Sequence, residues 1–288
     1  MSVCNSCPRK CSVDRNQRHG VCGVGNEIKV ARAGLHFGEE PCISGANGSG
    51  TIFFSGCSLK CVMCQNYNIS HEAFGKVISK EKLAKIMKSL EEKGANNINF
   101  VTPSHYFNQI VDALAIYRPK IPLVYNSSGY DLIENIQKDI FDIYLFDFKY
   151  YSPEKSLMYS KCEDYFEVAS SAISKAVKIK GEPLFDDRGL LRRGVIVRHL
   201  ILPGSTNDSI NLIKWLNDNT PGIVFSLMSQ YVPMYKSCDF PEINRKITKR
   251  EYNKVLNACY ETNFCETYIQ DLISATTDMI PDFDLSGI

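Results

Sequence analysis

The sequence predicts an α/β protein, a partial (β/α)6 barrel of the TIM type with a small N-terminal cysteine-rich, metal-binding appendage. Three observations lead there. Between residues 51 and 262, six apolar segments of strand length alternate with amphipathic or loop segments, the pattern of a parallel sheet covered by helices. Six such units are too few to close the usual eight-unit barrel, so the sheet should stay open. Cysteines at metal-ligand spacing gather twice within the first 64 residues, once before the first of these strands and once just after it. A doubly wound flat sheet is the competing architecture, and it lacks a glycine-rich nucleotide fingerprint at its first turn. The boundaries that follow are residues 1–48 for the appendage and its connection, and residues 49–288 for the barrel with a C-terminal helix.

Residues 28–35 alternate enough for a short strand or hairpin, and the Gly- and Ser-rich run of residues 39–50 should join the appendage to the main fold. Residues 51–54 form the first strand. A helix over 79–93 follows from Leu83, Ile86, Met87 and Leu90 at helical spacing, with Ser79 as N-cap and Gly94 as stop. Strands are then expected at 97–101, 123–126, 141–148, 195–202 and 223–228. Helices are expected at 106–117, 131–138, 165–178 and 208–217, and a last one over 248–262 closes the chain.

With 288 residues, 44% of them hydrophobic, the chain can bury a sizeable core. Thirty-three Lys and Arg against 32 Asp and Glu leave a net charge of +1, which supplies no nucleic-acid-binding signature. No apolar run reaches membrane-spanning length, and Met1-Ser2-Val3-Cys4 leads into a polar segment rather than a signal peptide, so a cytoplasmic protein is expected. Twelve cysteines in a chain too long to need staples point to metal binding in a reducing, oxygen-poor interior.

The most informative stretch is Cys57-x3-Cys61-x2-Cys64, directly after the apolar run 51–54. Three thiolates can hold a cubane iron-sulfur cluster that normally takes four, which leaves one iron open to a small molecule. Zinc would need a fourth ligand in a closed tetrahedron, and His71 is the close candidate. The second group, Cys4, Cys7, Cys11 and Cys22, sits among Pro and Gly turns and suits a closed four-cysteine site, with zinc and a second iron-sulfur cluster both compatible. Such a closed site is structural on this reading.

In barrels, ligand-binding groups gather at the carboxyl ends of strands. Those ends carry Thr102 and Ser104, Asn126 and Ser128, Asp147 and Lys149, and Arg198 with His199 and Asp208 beyond. A carboxylate beside an ammonium can hold a zwitterionic ligand, and Arg198 can donate a forked pair of bonds to a carboxylate. The structural alternatives are a salt bridge across the barrel end, an ion pair of Arg198 with Asp147 or Asp208, helix capping by Thr102 and Ser104, and a satisfied core histidine at His199.

The cysteine triad resembles that of the radical S-adenosylmethionine (radical SAM) superfamily. Residues 50–57, the Asp147-x-Lys149 pair, and Arg198 followed by Pro203-Gly204 and Asp208 are similar to its pyruvate formate-lyase activating enzyme branch, over a span from Gly50 to about Gln230. The resemblance implies Cys57, Cys61 and Cys64 as 4Fe-4S ligands and S-adenosylmethionine contacts from Asp147, Lys149 and Arg198. It also implies a 5′-deoxyadenosyl radical that takes hydrogen from a peptide or protein substrate, with a flavodoxin- or ferredoxin-type electron donor. Two features depart from that branch. Its glycine-rich G-G-E segment is replaced by Thr102-Pro103-Ser104, and the four-cysteine group precedes the triad instead of following it. A small-metabolite substrate, or a non-catalytic metal-binding or redox-sensing protein, are the rival functions.

Overall fold

The computed structural model describes residues 3–272 and 280–288. The chain enters the sheet at β1 (Ile28–His36), passes through the short α1 (Pro41–Ser44) and returns as β2 (Ser49–Phe54). After the triad loop come α2 (Tyr67–Ser70) and β3 (Lys76–Ile78). Repeating units follow: α3 (Lys80–Glu92), β4 (Ile98–Val101), α4 (Phe107–Ile116), β5 (Leu123–Ser127), α5 (Ile133–Gln137) and β6 (Ile143–Asp147). The second half contains α6 (Pro153–Ser160), α7 (Tyr165–Lys180), β7 (Leu184–Phe185), β8 (Leu191–Leu200), α8 (Thr206–Asn219), β9 (Val224–Met228), α9 (Lys249–Tyr260) and β10 (Glu266–Ile269).

Strands β2, β4, β5, β6, β8, β9 and β10 are parallel neighbours in that order, with β1 antiparallel on β2 and β3 outside β1. The sheet does not close, as an open partial barrel requires. Local signals explain the helices that were expected: Ser79 Oγ accepts from the Lys82 amide at 3.2 Å and buries Leu83, Ile86, Met87 and Leu90 behind it. Thr248 and Glu251 form a reciprocal capping box at the start of α9.

Three expectations need correction. The chain does not close with the helix at 248–262, because β10 follows it as a further parallel strand on β9. The last residues then return to β1, where Ala33 N donates to Ser286 O at 2.9 Å and Leu285 N to Ala31 O at 3.1 Å. From Ile28 onward, the stretch assigned to the appendage is instead built into the main sheet through β1. The connection over residues 39–50 is also more than a linker. Its Cys42 and Ile43 pack with Val124, Ile143, Leu145, Ile196 and Val224 into an apolar cluster separate from the main core.

The period-2 alternation of strands explains that separation. On β5, Val124 and Asn126 face the inside of the barrel while Tyr125 belongs to the large core under the helices; on β6, Leu145 and Asp147 face inward while Tyr144 and Phe146 face the helices. The barrel interior is therefore layered. Apolar residues around α1 fill its lower part, and polar residues at the strand ends face the space above.

Candidate active site

Above that plug lies a cavity of about 240 Å³ at the carboxyl ends of the parallel strands. Cys57, Cys61 and Cys64 line one side, and Thr102, Ser104, Asn126, Ser128, Asp147, Lys149 and Arg198 line the rest. The structure thus gathers into one chamber seven of the nine strand-end residues singled out in the sequence, His199 and Asp208 lying outside it, and all three cysteines of the triad. Apolar side chains of Val101, Leu200, Leu202 and Met228 complete its walls.

The triad loop is shaped by close packing. Gly56 has φ 85° and no space for a side chain, since a Cβ there would stand 2.9 Å from the Cys22 carbonyl oxygen. The Cys57 amide donates to that carbonyl at 3.1 Å, and the Cys64 amide to Cys61 O at 3.1 Å. Two hydroxyls address the sulfurs: Ser160 Oγ donates to Cys61 Sγ at 3.1 Å and Ser70 Oγ to Cys64 Sγ at 3.2 Å.

The donor set suits a metal cluster. Burial, and then the neighbouring Cys61 sulfur, raises the Cys57 thiol and pushes Cys64 up to about 12, so three thiolates facing one space need a cation to replace their protons. No fourth cysteine and no histidine lines the cavity among the described residues. His71 is engaged elsewhere, with Nδ1 2.9 Å from Ser70 Oγ and its ring against Tyr235. Among the described residues, no three His, Cys, Asp or Glu side chains converge as ligands on a single ion would. The zinc alternative with His71 therefore finds no support, while thiolates at separate corners of a cluster stand further apart.

The floor opposite the triad is a charge network. Arg198 donates from Nε to Asp147 Oδ1 at 2.6 Å, from Nη1 to Glu39 Oε2 at 2.7 Å and from Nη2 to Asn126 Oδ1 at 3.0 Å. Lys149 Nζ donates to the other Asp147 oxygen at 3.1 Å. Burial alone would raise the Asp147 carboxyl, but Arg198 and then Lys149 outweigh it and hold it at about 2. Burial also works against the Lys149 ammonium, yet Asp147 and the nearby Cys61 sulfur keep its pKa above the ordinary lysine range.

This network changes how the strand-end residues divide the work. Arg198 spends three of its donors on protein acceptors and so orients Asp147 and Asn126; its carboxylate partners are Asp147 and Glu39, and Asp208 instead accepts from the Tyr151 and Ser152 amides at 3.0 and 2.8 Å ahead of α6. Lys149 has one carboxylate partner and faces the sulfurs. Thr102 and Ser104 cap no helix, since neither the 3-10 turn over Ser104–Tyr106 nor α4 has a side-chain cap. Thr102 instead holds a left-handed φ of 60°, an uncommon conformation for a β-branched residue, with its amide on Asn126 O at 2.8 Å. His199 is a satisfied core histidine: Nδ1 donates to Phe148 O at 2.8 Å and Nε2 accepts from Ser209 Oγ at 2.8 Å.

Three contributors were invisible in the sequence. Glu39 accepts from Arg198, from Asn99 Nδ2 at 2.9 Å and from Asn126 Nδ2 at 3.3 Å, although it lies 159 residues from Arg198. The buried Tyr165 hydroxyl accepts from the Lys149 amide at 2.9 Å and lies 2.7 Å from Ser128 O, tying the ends of β5 and β6 together. Ser160 reaches Cys61 from the end of α6; Ser152 as N-cap and Pro153 at N1 mark where that helix starts, but nothing marks where its last hydroxyl points.

Comparison with known proteins now places this chamber. The radical SAM superfamily matches residues 51–216, the span from the first parallel strand into α8. An uncharacterized protein of Methanocaldococcus jannaschii is 32% identical over 282 residues, which cover 94% of this chain and 76% of that relative. A crystal structure of Streptococcus suis SuiB bound to S-adenosylmethionine superposes with a TM-score of 0.52 at 14% identity, over 76% of this chain. That likeness concerns the fold, and this chain spans about half (49%) of SuiB's length. With more than half of its residues matched by the family, the chain belongs to the radical SAM superfamily, whose cofactors are a 4Fe-4S cluster and S-adenosylmethionine.

Proposed function

We propose that this radical SAM enzyme abstracts a hydrogen atom from a peptide or protein substrate, with activation of a glycyl-radical enzyme as one form of that reaction. The observation that carries the site assignment is the shared cavity, in which Cys57, Cys61 and Cys64 face Asp147, Lys149 and Arg198 across about 240 Å³. When bound, the cluster and S-adenosylmethionine supply the electron and the sulfonium whose cleavage gives a 5′-deoxyadenosyl radical. The residues of the chain bind, orient and shield. Cys57, Cys61 and Cys64 serve as the three cluster ligands. Lys149 and Asp147 offer opposite charges to the amino-acid end of the cofactor, and Arg198, through Glu39 and Asn126, keeps that pair in place. Thr102, Ser104, Asn126 and Ser128 supply polar atoms for its ammonium and ribose, while Val101, Leu200, Leu202 and Met228 exclude water around its base.

The substrate assignment is supported by the sequence resemblance from Gly50 to about Gln230. A low-potential flavodoxin or ferredoxin is the fitting electron source. Two measurements test the reading. Anaerobically reconstituted protein with dithionite should convert S-adenosylmethionine to 5′-deoxyadenosine, and none formed would refute enzymatic cleavage. Deuterium should then enter 5′-deoxyadenosine from the macromolecular fraction of a deuterated lysate; entry from the small-molecule filtrate alone would replace the protein substrate with a metabolite.

A further inference from the structure

Cys4, Cys7, Cys11 and Cys22 do not line the cavity, yet they form a second gathering of thiols. Gly20 lies between two of them. A Cβ at that position would stand 3.3 Å from Cys11 Sγ and 3.4 Å from Cys22 Sγ, so glycine keeps the space between the sulfurs clear. Cys4 lies within reach of Cys11. Cys22 Sγ lies 3.8 Å from Val24 O and Cys4 Sγ 3.8 Å from Ser6 Oγ, and Cys7 stands close enough to Cys4, Cys11 and Cys22 to feel each of them. Four thiols gathered round a space that glycine keeps clear suit a metal centre. Among the described residues, no three donors of either group converge as on a single ion, which sets both apart from the tight tetrahedron of zinc, with Zn–S of about 2.3 Å.

The two groups also touch. The Cys22 carbonyl accepts from the Cys57 amide at 3.1 Å. Arg9 bridges from the N-terminal group to the other side of the cavity loop, donating to Ser58 O at 2.8 Å and Ser160 O at 2.7 Å, and Ser160 Oγ in turn donates to Cys61 Sγ at 3.1 Å. Two of the three cavity sulfurs therefore take their positions through contacts that begin at the N-terminal cysteines.

We infer that Cys4, Cys7, Cys11 and Cys22 hold a second iron-sulfur cluster, closed by four thiolates, and that it is the mount on which the cavity cluster's loop is set. The inference rests on the triad being the first cluster's ligands. It makes filling of the two sites a linked process: each occupied site strengthens the other by the same factor.

The test separates the two clusters by variants. Reconstituted wild-type protein should carry iron and acid-labile sulfide for two clusters. The Cys57→Ala/Cys61→Ala/Cys64→Ala variant should keep about half of both, with an electron paramagnetic resonance signal indifferent to S-adenosylmethionine. Cys7→Ser/Cys11→Ser should lose the other half and release its remaining cluster to a chelator roughly tenfold faster than wild type, the size of an ordinary coupling between linked sites. Should that variant fail to fold, Arg9→Met keeps every ligand and cuts the bridge to Ser58 and Ser160; it should hold full iron yet release the cavity cluster faster. Zinc in place of iron, or no metal in the triad-free variant, overturns the second cluster. Unchanged release in Arg9→Met overturns the mount. Absence of 5′-deoxyadenosine from wild type would instead fail the proposed function, leaving the iron of the triad-free variant to be judged separately.

Discussion

The two cysteine groups lie against each other, and their surroundings differ in one respect that explains the rest. The triad has three thiols and opens on a chamber whose far side holds Asp147, Lys149 and Arg198. The N-terminal group has four thiols, and the cations beside it spend their donors on main-chain carbonyls, Arg9 on Ser58 and Ser160, Arg15 on His105 at 2.6 Å. On the proposed reading, four thiols make a complete ligand set that needs no further partner and is tied down by backbone. An incomplete one is useful only where ordered charges stand ready for the molecule that completes it.

The largest test of that contrast is to remove one ligand from the open group. Cys61→Ala leaves two thiolates, so the cavity cluster's visible absorbance and 5′-deoxyadenosine formation should both disappear; turnover that survives would remove the triad from the chemistry. Next in size is Asp147→Asn, which takes the anion from between two partly buried cations. It should cost on the order of 3 kcal/mol in a denaturant titration, whereas a cost under about 1 kcal/mol would make the floor a surface ion pair.

The link between the groups has its own signature against pH. His105 sits under it, donating from Nε2 to Ser55 O at 2.9 Å while its carbonyl holds Arg15. Burial, with Arg15 beside it, lowers its imidazole to about 4. Above the ordinary histidine value of about 6.5 both folded and unfolded chains are neutral there; as pH falls from about 6.5 towards 4, the unfolded chain takes up a proton that the folded chain refuses, so stability drops by about 3 kcal/mol. His105→Gln should flatten the stability profile over that window, and an equal slope in both proteins would mean the ring is not held neutral.

Smaller effects separate the residues of the floor. Lys149→Met should weaken S-adenosylmethionine binding by about 1.5 to 3 kcal/mol, roughly one to two powers of ten, as loss of one charge-assisted contact does. Arg198→Met should lower the melting temperature more than Lys149→Met does, because its donors serve Asp147, Glu39 and Asn126. Equal shifts in both readouts would erase that division. Glu39→Gln removes the charge from one bond to Arg198 and should cost about 1 kcal/mol in cofactor affinity; calorimetry on cluster-loaded protein checks all three.

The chemistry-bearing residues were legible because they obey local rules. Triad spacing is written in eight consecutive residues, and Asp147, Lys149 and Arg198 sit at the ends of apolar runs that could only be strands. Glu39 escaped because nothing local distinguishes it from a linker residue; its role exists only once α1 folds into the barrel and brings it to Arg198. Strand β10 escaped for a related reason. Glu-Thr-Tyr-Ile is a half-buried edge, without the apolar run that marks its neighbours. Tyr165 and Ser160 act through hydroxyls that any helix surface carries, and only the packing of α6 and α7 aims them at Lys149 and Cys61.

The central claim is that the triad holds a cluster with an open position facing S-adenosylmethionine. Electron paramagnetic resonance of the dithionite-reduced, reconstituted protein tests it most directly, recorded with and without S-adenosylmethionine. The account predicts that one cluster signal changes on addition of the cofactor and that Lys149→Met raises the concentration needed for the change. A spectrum identical in both samples, from protein with a full complement of cluster iron, would contradict it.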